Sequence, residues 1–342
     1  MKSPHVFPLL STKPQDVKNG GTRTCITRDQ FPVLEGMAMY RVVLHEKGIR
    51  EPHWHPNAYE LGYCLQGDAL VTIFGNESKR STFGISRGEM FTVPSGFLHH
   101  IENIGKGPCT FILVFSDEKP KDFGLSASIG CMTDAVLGNT WGLKSKQFTP
   151  MKRSANTALI CETTSTNTAP VYSHFSSGYK FNVEGANPLL SNTGGSVKVA
   201  RKSTWSKLED LSMYSLRLTN KGMREPHWHP STAELGYVNK GRARMKLLSP
   251  NGDVDTYTLK KGDVYFIPKA YPHHIENLGK GELHILVFFD QHTPGDIGFS
   301  AGVRAYSNEV LGATLSTNPE FFKKLPDYYE DLLIVSCVNS ST

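Results

Sequence analysis

Long apolar runs, blocks of like charge and paired cysteines are all absent from this sequence of 342 residues. No segment approaches the roughly 20 apolar residues of a membrane helix, and Pro8 interrupts the only apolar stretch near the start, so no secretory signal is indicated. The 37 basic and 32 acidic residues are mixed along the chain, with no block suited to a phosphate backbone. We therefore expect a cytoplasmic protein with neither a nucleic-acid nor a membrane partner.

The six cysteines form no Cys-x-x-Cys pair, which excludes a disulfide scaffold in a chain of this length. Hydrophobic residues make up 39% of the chain, enough apolar surface for packed cores along most of its length. The 31 glycines and 20 prolines are separated by short β-branched and aromatic runs. That pattern predicts an all-β fold of short strands and tight turns, with a few short helices.

An internal repeat organises nearly the whole chain. GIREPHWHPNAYELGYCLQG at 48–67 and GMREPHWHPSTAELGYVNKG at 222–241 share 13 of 20 positions. GEMFTVPSGFLHHIENIGKG at 88–107 and GDVYFIPKAYPHHIENLGKG at 262–281 keep the same offset of 174 residues. Only FPLLS and NPLLS, near the start of each copy, suggest an offset of 180. Two copies of one folding unit are therefore expected, one domain at 1–160 and the other at 161–342.

Helices are expected only late in each copy. One turn or two is predicted near Asp134, and a longer helix is predicted in NPEFFKKLPDYYEDLLIV, where Asn318 and Pro319 form an N-cap and N1 pair. The remaining segments are predicted to be the strands of a sandwich or barrel.

Each copy carries histidines and a glutamate at matched spacing. Residues two apart on a strand face the same side, so the histidines of His-Trp-His can point at one centre while the tryptophan points away. A glutamate follows five residues later, and the first histidine of a later His-His pair supplies a third nitrogen. Three imidazoles and a carboxylate suit a divalent metal and leave coordination positions open. The predicted ligands are His53, His55, Glu60 and His99 in the first copy, and His227, His229, Glu234 and His273 in the second.

An arginine lies three residues before the first histidine of each set, Arg50 in one copy and Arg224 in the other. One interpretation is a guanidinium beside the metal that holds a substrate carboxylate with two hydrogen bonds. The alternative is a surface salt bridge. The odd spacing from His53 permits the first interpretation only if the strand bends.

These motifs resemble those of the cupin family. The first cupin motif matches from the two histidines and glutamate to Gly67, and to Gly241 in the second copy. The second motif, G-x5-P-x-G-x2-H-x3-N, matches fully in the first copy, whereas Ala270 replaces its second glycine in the other. Two such units in one chain resemble the bicupins, and R-E-P-H-W-H is similar to the R-E-L-H-W-H of oxalate decarboxylases.

The resemblance implies two tandem jelly-roll β-barrels and two divalent metal ions per chain, usually Mn, with Fe, Ni, Zn or Cu as alternatives. It implies a homo-oligomer, a trimer or hexamer. It also implies that Arg50 and Arg224 hold a small carboxylate, with oxalate converted to formate and carbon dioxide and dioxygen as a possible partner. Two other functions stay open: a dioxygenase of the quercetinase type, and a bicupin that binds a metal or ligand without catalysis.

The proton that formate requires needs a donor. The Ser-Glu-Asn lid of oxalate decarboxylases has no counterpart in SDEKPKDFGLSAS (116–128) or DQHTPGDIGFSAG (290–302). Asp122 and Asp296 lie at equivalent positions in these stretches, each followed by an apolar residue and a glycine that could act as a hinge. They are the candidate proton donors, and their alternative role is to cap a turn.

Overall fold

Short antiparallel strands dominate the computed structural model, which describes residues 3–164 and 177–336. The strands of the first half of the chain are β1 Val6–Phe7, β2 Asp16–Lys18, β3 Gly21–Ile26, β4 Ala38–Leu44, β5 Gly48–Trp54, β6 Glu60–Gln66, β7 Asp68–Phe74, β8 Arg80–Ser86, β9 Met90–Val93, β10 Leu98–Asn103, β11 Cys109–Phe115, β12 Phe123–Gly124 and β13 Ile160–Glu162. Those of the second half are β14 Lys180–Phe181, β15 Leu190–Asn192, β16 Gly195–Ala200, β17 Ser212–Leu218, β18 Gly222–Trp228, β19 Glu234–Lys240, β20 Arg242–Leu248, β21 Val254–Lys260, β22 Val264–Ile267, β23 His273–Asn277, β24 Leu283–Phe289, β25 Ile297–Gly298 and β26 Ile334–Ser336.

The helices are few and short, as the sequence predicts. The α-helices are α1 Leu125–Gly130, α2 Asp134–Trp141, α3 Phe299–Arg304 and α4 Asn308–Thr314. The 3₁₀-helices are Leu9–Ser11, Asn76–Ser78, Ser145–Gln147 and Pro319–Lys324.

The prediction of a long helix after Asn318 is wrong. The Asn318 side chain does cap this segment by accepting from the Glu320 backbone N–H at 3.0 Å. The segment is nevertheless a single stretch of 3₁₀-helix that ends at Lys324, since Pro326 disfavours helical backbone in the residue before it. The chain then runs into β26. Within the described residues, no helix has the length and apolar character needed to span a membrane.

The chain divides into two compact units. The N-terminal unit is Thr12–Gly185, and the C-terminal unit is Ala186–Thr342 together with Met1–Ser11. The domain boundary at residue 160 stays a prediction.

Two sheets form the N-terminal unit. One has the order β14-β9-β6-β11-β4-β3-β2, and the other has the order β12-β5-β10-β7-β8, with β13 also paired to β5. Alternate side chains of both sheets point inward and build one apolar core that includes Phe83, Phe91 and Phe111. This is the predicted all-β jelly roll, made of two packed sheets.

The C-terminal unit repeats this arrangement. Its sheets have the orders β1-β22-β19-β24-β17-β16-β15 and β21-β20-β23-β18-β25, and β26 also pairs with β18. Its core includes Met245, Tyr265 and Phe289.

In each unit, the outermost strand of one sheet is distant in sequence from the strand it pairs with: β1 pairs with β22, and β14 pairs with β9. Val6 pairs with Tyr265, and Lys180 pairs with Phe91, so these strands keep the offset of 174. The offset of 180 suggested by FPLLS and NPLLS is therefore wrong. The first segment forms a 3₁₀ turn after β1, whereas the second leads into β15, and their likeness is only in sequence.

Candidate metal centres

Strands β5 and β10 of one sheet position the histidines predicted as ligands in the N-terminal unit, and β6 of the other sheet supplies the glutamate. His53 on β5 lies directly opposite His99 on β10. His55 follows β5, and Glu60 begins β6. All four residues are buried, and one ligand atom from each lies within 4.8 Å of the others. We call this cluster the N-terminal site.

Backbone carbonyls orient the three histidines of the N-terminal site. The Nδ1 atoms of His53, His55 and His99 lie 2.7, 2.9 and 2.9 Å from the carbonyl oxygens of residues 51, 121 and 97. Each Nδ1 therefore carries a hydrogen and donates it, which leaves Nε2 as the atom that a metal ion would bind when the ring is neutral. The Nε2 atoms of His55 and His99 lie 3.0 and 3.1 Å from Glu60 Oε2. The lone pairs and the carboxylate thus converge on one point.

The C-terminal site repeats this geometry with His227, His229, Glu234 and His273, all buried and again within 4.8 Å. Its Nδ1 atoms donate to the carbonyls of residues 225, 295 and 271, at 2.7, 2.9 and 2.9 Å. The second histidine of each pair lies outside the cluster: His274 contacts Glu276 at 2.8 Å, and His100 lies 3.8 Å from Glu102.

The donor chemistry of both clusters fits a divalent metal ion. Burial and nearby Arg50 hold the pKa of His53 well below its ordinary value, so this imidazole is neutral, as a ligand must be. Burial opposes ionisation of Glu60, but the adjacent His99 and His55 outweigh it and lower the pKa of Glu60 to about 2. Burial lowers the pKa of His55, but Asp122 and Glu60 outweigh it and raise this pKa to about 9, so a metal ion would displace a proton from His55. The buried Oε1 of Glu60 receives no hydrogen bond within the described residues, and a cation would satisfy it. The chain therefore has two buried His₃Glu metal-binding sites.

A β-bulge places each arginine on the same face as its histidines. Arg50 lies opposite Ile101 while His53 lies opposite His99, so three steps on β5 span two on β10. The bend that the sequence argument required is thus present. The pairing of β18 with β23 has the same irregularity.

Each arginine forms a salt bridge, but it is not the surface pair considered as an alternative, because both arginines are buried and the side chains of Asp122 and Asp296 are only 15% exposed. Arg50 Nη2 donates to Asp122 Oδ2 at 2.8 Å and Nη1 donates to the Leu159 carbonyl at 3.1 Å. Arg224 makes the matching bonds to Asp296 and the Leu333 carbonyl. In the C-terminal unit a small cavity reaches from Arg224 to the ligands, and Tyr214 and Val197 also line it.

Asp122 joins this arrangement as an ionised carboxylate. Its Oδ2 also accepts from Arg23 Nη1 at 2.6 Å, and its Oδ1 lies 2.8 Å from His55 Nδ1. Burial raises the pKa of Asp122, but Arg50, His55 and Arg23 outweigh burial and hold it far below its usual range. Since the hydrogen on His55 Nδ1 is directed at the Lys121 carbonyl, Oδ1 receives no hydrogen bond from any described residue.

Two residues around the sites were missed by sequence reasoning. Arg23 and Tyr265 belong to only one copy each, with Val197 and Phe91 at the matching positions, and a search for repeated residues passes over both. The alternation of β3 could have indicated Arg23, because it places this arginine on the same face as Cys25, which packs against the core.

The comparisons with known proteins agree with this fold. The family model described as cupin matches residues 7–148 and 181–321. The chain belongs to the cupin family, and its two matched units make it a bicupin.

Among its relatives, an oxalate decarboxylase of Bacillus subtilis strain 168 is 24% identical over 312 residues, which is 89% of this chain and 80% of the relative. A probable germin-like protein of Arabidopsis thaliana is 30% identical over 147 residues, covering 42% of this chain and 69% of that protein. A solved structure of Bacillus subtilis oxalate decarboxylase, whose subject is its Mn(II) centres, superposes with a TM-score of 0.86 and 25% identity. That match covers 98% of this chain and 89% of the other.

Proposed function

We propose that this bicupin is a metal-dependent decarboxylase that converts oxalate to formate and carbon dioxide. The observation that carries the proposal is a buried arginine that the β-bulge turns toward a His₃Glu cluster. A small dicarboxylate is the ligand class that can meet a metal ion at one end and a guanidinium at the other. The similarity to oxalate decarboxylases over most of the chain supports the same reaction.

The metal would be held by the three histidine Nε2 atoms and the glutamate, and Mn is our proposal because the related structure contains Mn(II) centres. When bound, it would supply Lewis-acid and redox chemistry to a carboxylate, with dioxygen as a possible partner. The carbon–carbon bond of oxalate breaks, one carbon leaves as carbon dioxide, and the other takes one proton to become formate.

Arg50 binds the substrate carboxylate in this proposal, and Arg224 does so in the other unit. Arg50 already uses Nη1 and Nη2 in hydrogen bonds, so a bound carboxylate would compete with Asp122 for the guanidinium. Arg23 still holds Asp122 Oδ2 when Arg50 turns to substrate. The aspartate then keeps its place beside His55. Burial of the arginine and ligands excludes bulk water from the reacting carboxylate.

Asp122 and Asp296 remain our candidates for handling the proton. Oδ1 of Asp122, which accepts no hydrogen bond among the described residues, is the atom that could take a proton. Two guanidinium groups favour its ionised form, so protonation requires Arg50 to leave for the substrate. An Asp122→Asn variant should lose formate production while its metal content stays unchanged.

The direct test is to load the full chain with Mn and assay oxalate for formate and carbon dioxide under air. Formate in equimolar yield with carbon dioxide is the expected result. Turnover that releases carbon dioxide and hydrogen peroxide without formate, or no turnover at all, would contradict the proposal. Size-exclusion chromatography with light scattering would test the proposed trimer or hexamer, which a monomer would exclude.

A further inference from the structure

We infer that Tyr265 is a positioning residue that fixes how Glu234 binds a metal ion, whereas Phe91 leaves Glu60 free in the N-terminal site. The two glutamates use the same oxygen toward their histidines, Oε2. They differ at the other oxygen. The phenol of Tyr265 donates to Glu234 Oε1 at 2.5 Å, while Glu60 Oε1 receives no hydrogen bond from the described residues.

The reach of Tyr265 depends on a glycine in the neighbouring strand. Tyr265 on β22 lies opposite Gly236 on β19, and a Cβ atom at 236 would lie 2.1 Å from the Tyr265 ring. The absence of that atom lets the ring lie flat across β19 toward Glu234, two residues earlier. The ring is fully buried there.

The N-terminal unit has the same geometry without the hydroxyl group. Phe91 lies opposite Gly62, and a Cβ atom at 62 would lie 2.2 Å from the Phe91 ring. Both units therefore hold an aromatic ring against the strand that carries the glutamate. The difference between the two metal sites at this point is one oxygen atom.

That oxygen changes what the carboxylate can do. A carboxylate binds a metal ion through one oxygen or through both. In the C-terminal site the phenol occupies Oε1, so Glu234 is restricted to Oε2. In the N-terminal site nothing described competes for Oε1, so Glu60 can add or release its second oxygen as an external ligand leaves or arrives. The N-terminal site is thus built to exchange ligands, and the C-terminal site to keep a fixed set. This inference rests on the two metal sites and holds whichever carboxylate is the substrate.

The test uses the full chain with one site left in each background. His53→Ala leaves the C-terminal site, into which Tyr265→Phe is introduced, and His227→Ala leaves the N-terminal site, into which Phe91→Tyr is introduced. Each protein is loaded with Co(II), whose visible absorption reports coordination number, and its affinity is measured by competition with a chelator. Tyr257→Phe is the matched control, because Tyr257 is a buried tyrosine of the same core whose hydroxyl has no hydrogen-bond partner among the described residues.

We expect Tyr265→Phe to shift the Co(II) spectrum of the C-terminal site toward that of the N-terminal site. It should also lower the affinity of the C-terminal site for Co(II) by about 10- to 100-fold, the usual effect of losing a hydrogen-bond partner of a ligand. Phe91→Tyr should shift the N-terminal spectrum in the opposite direction, and Tyr257→Phe should change neither spectrum nor affinity. The inference is overturned if Tyr265→Phe keeps the wild-type spectrum and affinity. If Phe91→Tyr does not fold, the result for Tyr265→Phe alone decides the inference, because Tyr265→Phe only removes an oxygen atom from a buried ring. A lack of oxalate turnover would leave this result unaffected.

Discussion

The two metal sites share their ligands and their arginine but differ in the residues around them. In the N-terminal unit Asp122 is held by two arginines, whereas Val197 takes the position of Arg23 in the C-terminal unit and lines the cavity there. In the C-terminal unit a tyrosine holds the glutamate, and a phenylalanine takes its place in the other. The duplicated chain has thus kept two equal ligand sets and varied their supports. In the proposed reaction, a substrate that competes for Arg50 would leave Asp122 anchored by Arg23, and Glu60 would be free to adjust.

Fragments of the chain give the largest expected effect. Residues 12–185 contain every strand of the N-terminal unit, including β14. Residues 1–160 lack β14 and carry β1, whose partner β22 is missing. We expect the first fragment to be folded by circular dichroism and the second to be insoluble or unstable, because it leaves the β9 edge open. A well-behaved monomer of residues 1–160 would contradict the role given to these edge strands.

Metal content tests whether the two sites are separate. His53→Ala and His227→Ala should each lose one of two metal equivalents in protein purified without chelator, because each removes one ligand from one cluster. Elemental analysis measures this directly. Full metal content in both variants would remove the basis for comparing the sites.

Arginine variants test which site turns over substrate. Given the anchored Asp122 and the free Glu60 oxygen, we expect Arg50→Lys to lower kcat/KM for oxalate by about 100-fold, since lysine cannot bind a carboxylate with two parallel hydrogen bonds. Arg224→Lys should have a much smaller effect. The order would be reversed if the C-terminal site performs the reaction, and steady-state kinetics with metal content as the control distinguish the two results.

The smallest expected effect comes from the one mismatch in the second motif. Ala270 has φ of 63°, in the left-handed region, where its counterpart Gly96 has φ of 77°. Ala270→Gly should raise the free energy of unfolding by about 0.5–1 kcal/mol, and Gly96→Ala should lower it by about 1 kcal/mol. Urea denaturation measures both. Equal stability of all three proteins would show that this turn costs the second copy nothing.

The sequence predicted what is local or repeated, and the structure added what is distant or present once. The strands and both ligand sets follow from alternation and spacing around residues such as His53 and His99. The β-bulge beside Arg50 does not, because it depends on the register of β10, about 50 residues further along. The partners of Asp122 and Tyr265 likewise come from strands that only the folded sheets bring together. The helix after Asn318 was overpredicted because a good cap signals where a helix begins and not how far it continues.

The pairing of β1 with β22 also sets a schedule for synthesis. Val6 is synthesised well before its partner Tyr265, which follows after roughly 250 more residues, or about 10–50 seconds at ordinary translation rates. Through that interval β1 has no partner strand, while the N-terminal unit receives its own outermost strand soon after its other strands are complete. The C-terminal unit is therefore completed only long after β1 is made, and any factor that shields an exposed strand during translation would act on β1.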